Sequence, residues 1–346
     1  HADFNMKNKI LNIGPCFFKS DSLRTGGVVV LFEAWLQFCR EQNVPFEVID
    51  TNKDNYTFRL FSIVGIIARF VRKIWRCEKI FLHGTINDYL ILAPLIVGIA
   101  RLCNKKIFLR KFAGSFETYY NHCNWFKKKI LCYVLKNSDM LFWETKSLVA
   151  FGSRFNTCSY WFPNVRKNSA IVRDLHKPYA KRFVFLSRVH KNKGVDDLIT
   201  VFKRLGEEYQ LDFYGPLESS YTPDYLEGCN YHYRGCIKPC DVTSLLSHYD
   251  VLLLPTKHDA EGYPGILLEA FSVGIPCIAS RIGAIPEIVE NEKNGILIES
   301  GNVKELLAAI LSFNNDKYMT FSSNAFSAFE PFEADNVNHR ILQLIG

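Results

Sequence analysis

The chain has 346 residues, 48% hydrophobic and 22% charged, a globular composition that excludes intrinsic disorder and is long enough for two domains. Its 42 Lys and Arg against 35 Asp and Glu give a formal charge of +7, which suits an anionic partner such as a nucleotide, a nucleic acid or an acidic membrane. The charge is unevenly spread: residues 1–165 hold 23 basic and 12 acidic side chains, residues 166–346 hold 19 and 23. Eleven cysteines without a repeating spacing argue against a disulfide framework and for a reducing compartment. Cys229, His232, Cys236 and Cys240 lack the paired spacing of a zinc site, so no metal is expected.

Residues His1 to Asn5 precede the first methionine, Met6, and read as a tag remnant, with no secretion signal after them. Short apolar runs at Lys9 to Ile13, Phe46 to Ile49, Lys79 to Leu82, Lys106 to Leu109 and Met140 to Trp143 alternate with helical patterns such as Val28 to Arg40 and Asn87 to Cys103. That rhythm predicts a parallel sheet covered by helices. Phe61 to Val71 and Leu90 to Ala100 are apolar but shorter than the ~20 residues that cross a bilayer. After Trp161-Phe162-Pro163-Asn164, residues Arg166 to Lys181 read as a polar, structureless linker.

A second series follows. Its strands are expected at Phe183 to Leu186, Leu211 to Tyr214, Val251 to Leu254, Cys277 to Ala279 and Ile296 to Ile298. Its helices are expected near Val195 to Leu205, Val242 to Tyr249, Gly265 to Val273 and Val303 to Phe313. A last amphipathic pattern runs from Phe332 to Ile345. The expected architecture is α/β with two Rossmann-like domains, residues 1–165 and 166–331, the C-terminal helix at 332–346 crossing back to the first.

The strongest chemical signal is Glu261-Gly262-Tyr263-Pro264-Gly265-Ile266-Leu267-Leu268-Glu269, which follows a strand. Gly262 and Gly265 permit a tight turn, Pro264 suits the start of a helix, and the amides of Gly265, Ile266 and Leu267 should face outward as a phosphate-binding end. Glu261 in the loop and Glu269 a turn inside the helix can both point beyond the carboxyl ends of the strands, where open α/β sheets bind ligands. An isolated Glu near a helix start needs no more than the helix dipole to explain it. Two cations, Arg188 and Lys193, stand after another strand and just ahead of a helix, an arrangement that neutralises a departing pyrophosphate.

The run E-G-Y-P-G-I-L-L-E-A-F-S-V-G-I-P-C-I-A-S, with G-A-I-P-E-I-V and N-G-I-L-I downstream, resembles the E-x7-E region of retaining glycosyltransferases of family 4. The resemblance covers residues 183–313 and implies a GT-B fold, with two Rossmann-like domains facing a cleft. It implies that Arg188 and Lys193, in F-L-S-R-V-H-K-N-K-G, hold the donor diphosphate, Ser187 standing where the family has Gly. Glu261 would position the donor sugar and Glu269 the ribose. Gly262 to Leu267 would line the donor site, and Gly215 and Gly235 match two strand-end glycines, which puts Cys236 and Ile237 near the base.

In the first half, Thr25-Gly26-Gly27 resembles the family's glycine loop. The family's sugar-contacting His falls at Ala113 here, so Arg110, Lys111 or His83 is left as the candidate sugar or acceptor contact. Arg69, Arg72, Lys73 and Arg76 form one stripe of an otherwise apolar helix, and Lys105, Lys106 and Lys127 to Lys129 add further positive clusters. Such clusters suit an anionic leaflet, and no nucleic-acid recognition module is visible.

The combined expectation is a cytoplasmic, metal-independent retaining enzyme, peripheral on the inner membrane face. It would move a sugar from a nucleotide diphosphate, UDP favoured, to a glycan or lipid-linked glycan in bacterial surface polysaccharide synthesis. A nucleotide-sugar epimerase of the same fold and a catalytically silent nucleotide-sugar-binding subunit are the alternatives.

Overall fold

The structure is a computed structural model that describes residues 9–17, 27–56, 62–112, 115–169, 171, 177–259 and 261–346. The chain divides into unit 1, His1–Pro163 with Asp335–Gly346, and unit 2, Asn164–Ala334.

Unit 1 contains β1 (Ile10–Gly14), α1 (Gly27–Glu41), β2 (Phe46–Asp50), α2 (Ser62–Lys73), β3 (Lys79–Gly84), α3 (Ile86–Leu102) and β4 (Lys106–Lys111). After these come α4 (Phe116–His122), α5 (Trp125–Lys136), β5 (Met140–Trp143), α6 (Lys146–Gly152) and β6 (Ser159–Trp161). The strands form one sheet in the order β2-β1-β3-β4-β5-β6, and every neighbouring pair is parallel. β1 and β3 are buried along their whole length, as strands covered on both faces must be.

Alternation along the strands sorts side chains between the two faces. Ile80, Leu82, Ile107 and Leu109 join a core with Ile66 and Phe70 of α2, Ile96 of α3 and Leu131 of α5. Phe81 and His83 project to the other face, where Trp35 packs edge-on against Phe81, ring centroids 5.6 Å apart. The chain returns to this unit in α12 (Ala334–Ile345), whose Val337, Ile341 and Ile345 are buried. His339 lies 4.9 Å from Phe38 of α1, and Lys79 Nζ donates to the Gly346 carbonyl at 2.7 Å.

Unit 2 contains β7 (Arg182–Leu186), α7 (Val195–Phe202), β8 (Gln210–Tyr214), β9 (Tyr231–Tyr233), α8 (Val242–Leu246), β10 (Val251–Leu254), α9 (Gly265–Ser272), β11 (Cys277–Ser280), β12 (Gly295–Ile298), α10 (Val303–Leu311) and α11 (Asn315–Ala328). Its sheet runs β12-β11-β10-β7-β8-β9, again all parallel. The chain builds outward from β7 in one direction through β8 and β9, then returns to the other side for β10, β11 and β12. The direction reverses between β7 and β10, and this switch point fixes where a ligand crevice opens.

Several elements lie outside the sequence expectation, among them the short helices α4 and α6. β6 and β9 are three-residue edge strands, too short to show alternation. Helix α11 begins at an Asn314 cap whose side chain accepts from the Lys317 amide; its sequence NDKYMTFSSNAFSA is polar enough to hide the buried Tyr318, Phe321, Ser322 and Ala325.

The three candidate sugar or acceptor contacts in unit 1, His83, Arg110 and Lys111, are buried. His83 is 0% exposed, with Phe81, Phe32, Phe112 and Trp35 ring centroids at 4.2, 4.9, 6.1 and 6.3 Å. Neither ring nitrogen has a hydrogen-bond partner among the described residues. Arg110, beside His83 in register, lies 3.4 Å over the Phe162 ring and donates through Nη2 to the Pro163 carbonyl at 3.4 Å. Lys111 faces the opposite side, 5.6 Å from the Phe116 ring, and donates to the Phe112 carbonyl. Burial lowers Arg110 to about 9 and Lys111 to about 8, opposed in each case by the Glu144 carboxylate.

Burial, reinforced by the Arg110 charge, holds the His83 imidazole well below its ordinary value. A folded-state value below the unfolded one means that the unfolded chain binds the extra proton, so stability falls as pH drops below ~6.5. Replacing His83 with Phe, which suits an aromatic cage, should remove up to about 1.4 kcal/mol of that loss per pH unit. Urea unfolding of both proteins at pH 7 and pH 5.5 checks this; equal pH slopes would show that His83 carries no such linkage.

Candidate functional site

The switch point of unit 2 brings together two loops, Ser187–Gly194 after β7 and Pro255–Pro264 after β10. Gly194 has φ of +75°, and a Cβ there would lie 2.1 Å from the Pro255 carbonyl oxygen, so only glycine lets the loops approach so closely. The Lys257 amide donates to the Asn192 carbonyl at 2.7 Å. These backbone contacts fix the bases of two side chains that meet across the loops: Lys193 Nζ and Glu261 Oε2 form an ion pair of 2.7 Å. Thr256 Oγ1 donates to the same carboxylate oxygen at 3.4 Å.

Arg188 and Lys193 line one cavity of ≈ 380 Å³ together with His190, Asn192 and His258. Arg188 is exposed and carries no ion pair among the described residues. His190 is oriented from both sides: its Nδ1 accepts from the Asn192 amide at 2.9 Å, and its Nε2 faces Glu218 Oε1 at 3.1 Å. Both histidines escaped the sequence reading, although His190 lies inside the run that yielded Arg188 and Lys193.

Helix α9 starts at Gly265, with Pro264 as its cap at φ −64° and ψ 120°. The Leu267 amide donates to the Pro264 carbonyl at 3.1 Å, and its side chain is buried, which corrects its place among the outward amides. Gly265 and Ile266 keep amides with no acceptor among the described residues. Tyr263 is also turned inward: its ring is 3% exposed, packs edge-on to Phe332 at 5.6 Å, and its hydroxyl donates to Glu287 at 2.5 Å. Gly262 is half-buried in the loop.

Glu269 is engaged by a residue that the sequence assigned to a structureless linker. Arg166 Nε lies 2.7 Å from Glu269 Oε1, and Arg166 Nη1 donates to Asn164 Oδ1 at 2.7 Å. The Asn164 amide donates in turn to the Tyr263 carbonyl at 3.0 Å. The Arg166 backbone is itself paired: its amide donates to the Phe332 carbonyl at 3.1 Å, and its carbonyl accepts from Ala334 at 2.9 Å. The linker assignment is therefore corrected at its first residue, whose polar neighbourhood hid a fixed position.

Gly215 follows β8, and its amide donates to the Gly235 carbonyl at 2.9 Å, tying together the loops after β8 and β9. Cys236 is exposed and Ile237 half-buried in the latter loop. In unit 1, Gly27 opens α1 and is exposed, while Gly26 and Ala113 lie outside the described residues. All eleven cysteines are free thiols. Among the described residues no group of three His, Cys, Asp or Glu is placed to hold a metal ion.

Residues 180–316 match the family model described as glycosyl transferases group 1. The amylovoran biosynthesis glycosyltransferase AmsK of Erwinia amylovora is 27% identical over 187 residues, 49% of this chain and 44% of that protein. The Escherichia coli UDP-Gal:alpha-D-GlcNAc-diphosphoundecaprenol alpha-1,3-galactosyltransferase is 36% identical over 83 residues, 24% of this chain and 21% of that protein. These matches span less than half the length of either relative. Anabaena Alr3699/HepE, solved in complex with UDP, superposes with a TM-score of 0.71 at 14% identity, over 97% of this chain and 99% of that one. Residues 180–316 thus carry the group 1 glycosyltransferase pattern, on a chain whose fold is that of the GT-B glycosyltransferases.

Proposed function

We propose that the protein transfers a sugar from a nucleotide diphosphate donor, UDP favoured, to a hydroxyl of a lipid-linked glycan in bacterial surface polysaccharide synthesis. One observation carries this reading: Arg188 and Lys193 line a cavity at the switch point of unit 2, Lys193 pairs there with Glu261, and α9, which follows the same loop, opens with free amides and carries Glu269. A site with that composition binds a polyanion through its phosphates and a sugar through its carboxylates. The UDP complex of the structural neighbour and the diphosphoundecaprenol acceptor named for the Escherichia coli relative support the same chemistry.

In this reading the cations act where charge develops. As the bond from the sugar to the diphosphate breaks, negative charge grows on the leaving oxygens, and Arg188, Lys193 and the helix end stabilise it without a metal. The acceptor hydroxyl enters from the leaving-group face, and a diphosphate oxygen takes its proton, which gives retention. Glu261, held by Lys193 and Thr256, positions the donor sugar, and Glu269 accepts from the ribose hydroxyls.

The membrane part of the proposal rests on unit 1. Helix α3 packs between α2 and α5 on one face of the sheet, so these three helices form a continuous layer. Trp75 just beyond α2, Leu95 of α3, and Trp125 and Phe126 of α5 are exposed. Arg69, Arg72, Lys73 and Arg76 accompany the first, Lys127, Lys128 and Lys129 the last. Exposed aromatics among cations suit the interface of an anionic leaflet, at about 1 kcal/mol per cation near the surface. No helix of the described residues is long and apolar enough to cross a membrane.

Glu269→Ala should weaken donor binding by about ten- to a hundredfold, the loss of charge-assisted hydrogen bonds, while Arg188→Ala and Lys193→Ala should lower turnover by about 10²–10³. Assays with UDP-sugars, with and without a polyprenyl-diphosphate glycan, check both, since transfer, epimerised donor and binding without product are separate outcomes. Unchanged rates in all three variants would remove the assignment. Sedimentation with phosphatidylglycerol vesicles should capture the protein at low salt and release it at high salt, and Trp75→Ala with Trp125→Ala should weaken capture. Equal binding to phosphatidylcholine vesicles would count against membrane docking.

A further inference from the structure

The geometry points to Arg166 as a third cation of the donor diphosphate site, offering Nη2 to a phosphate oxygen while Nε and Nη1 stay on their present partners. This deepens the glycosyl-transfer reading and rests on it.

The Nη2 end of the guanidinium lies against the start of α9. A Cβ added to Gly265 would stand 1.7 Å from Arg166 Nη2 and 2.8 Å from Cζ, so the absence of a side chain at Gly265 is what admits the group. It therefore occupies the same helix end as the open amides of Gly265 and Ile266. Its fork is half used: Nε holds Glu269 at 2.7 Å, and Nη1 holds Asn164 Oδ1 at 2.7 Å and the Val165 carbonyl at 2.9 Å. Nη2 has no hydrogen bond among the described residues. The side chain springs from a backbone clamped by the Phe332 carbonyl and the Ala334 amide, so little ordering entropy is left for a ligand to offset.

Charge balance gives the same answer. Lys193 is committed to Glu261 and Arg166 to Glu269, at 2.7 Å each, which leaves Arg188 as the cation without an ion pair among the described residues. Arg188, Lys193, Arg166, Glu261 and Glu269 sum to one positive charge. A bound diphosphate turns that into a small excess of negative charge; without Arg166 the excess would double beside the Glu269 carboxylate. A planar guanidinium can serve a carboxylate on one edge and a phosphate on the other, which a lysine cannot.

Binding is measured by calorimetry with UDP, GDP and ADP. The nucleoside diphosphate that the wild type binds most tightly is then compared with its nucleoside monophosphate. Arg166→Gln should weaken the diphosphate by about ten- to a hundredfold and the monophosphate by less than about threefold, and should flatten the salt dependence of diphosphate binding. Arg166→Lys should restore only part of the loss. Gly265→Ala, which expels the guanidinium from the helix end, should reproduce the selective loss and serves if Arg166→Gln does not fold. Equal losses for both nucleotides, or a lowered melting temperature with diphosphate affinity intact, would overturn the inference. A wild type that binds none of the three diphosphates would instead overturn the glycosyl-transfer reading, and this inference with it.

Discussion

Unit 2 depends on a problem of charge. The reversal of strand order between β7 and β10 brings the loops after both strands into one place, and with them the carboxylate of Glu261, while Glu269 lies on the helix that follows. A carboxylate withdrawn from water needs a cation or several donors close by. The chain supplies one cation per carboxylate from distant sequence: Lys193 is 68 positions from Glu261, and Arg166 is 103 from Glu269. Each pair is only partly buried, side chains at 14–25% exposure, so water still screens it and its contribution to stability is modest. The pairs serve to hold four side chains in place at the end of a parallel sheet.

Unit 1 uses charge differently. Its cations lie on the outer surfaces of α2 and α5, while two others, Arg110 and Lys111, are carried inside at the end of β4 and held over aromatic rings. The first set can act at a distance on an anionic surface. The second cannot, because both side chains are enclosed and face aromatic rings at the sheet end.

The long strands were legible because parallel sheets bury both faces and so write themselves as apolar runs; IFL of β3 and VLLL of β10 are examples. The Glu261 to Glu269 loop was legible because Gly and Pro punctuate it. Arg166 was not, because its role depends on a backbone pairing with Phe332 and Ala334, over 160 positions away, which no local pattern encodes. The inward turn of Tyr263 was equally hidden: its hydroxyl partner, Glu287, lies 24 residues on. His83 shows a third limit. A lone histidine at a strand end reads as polar chemistry, and only the four rings around it show that it serves as a core side chain.

The pairing of Arg166 with Glu333 lies where the chain enters unit 2 and where it leaves. Unit 2 is thus one uninterrupted stretch whose two ends are stitched together, set as an insertion within unit 1. During synthesis, α12 emerges only after all of unit 2, so unit 2 can close its sheet while unit 1 still lacks the helix that buries Val337, Ile341 and Ile345. Until then the α1 face of unit 1 stays partly uncovered, which makes the later-synthesised half the earlier one to be complete.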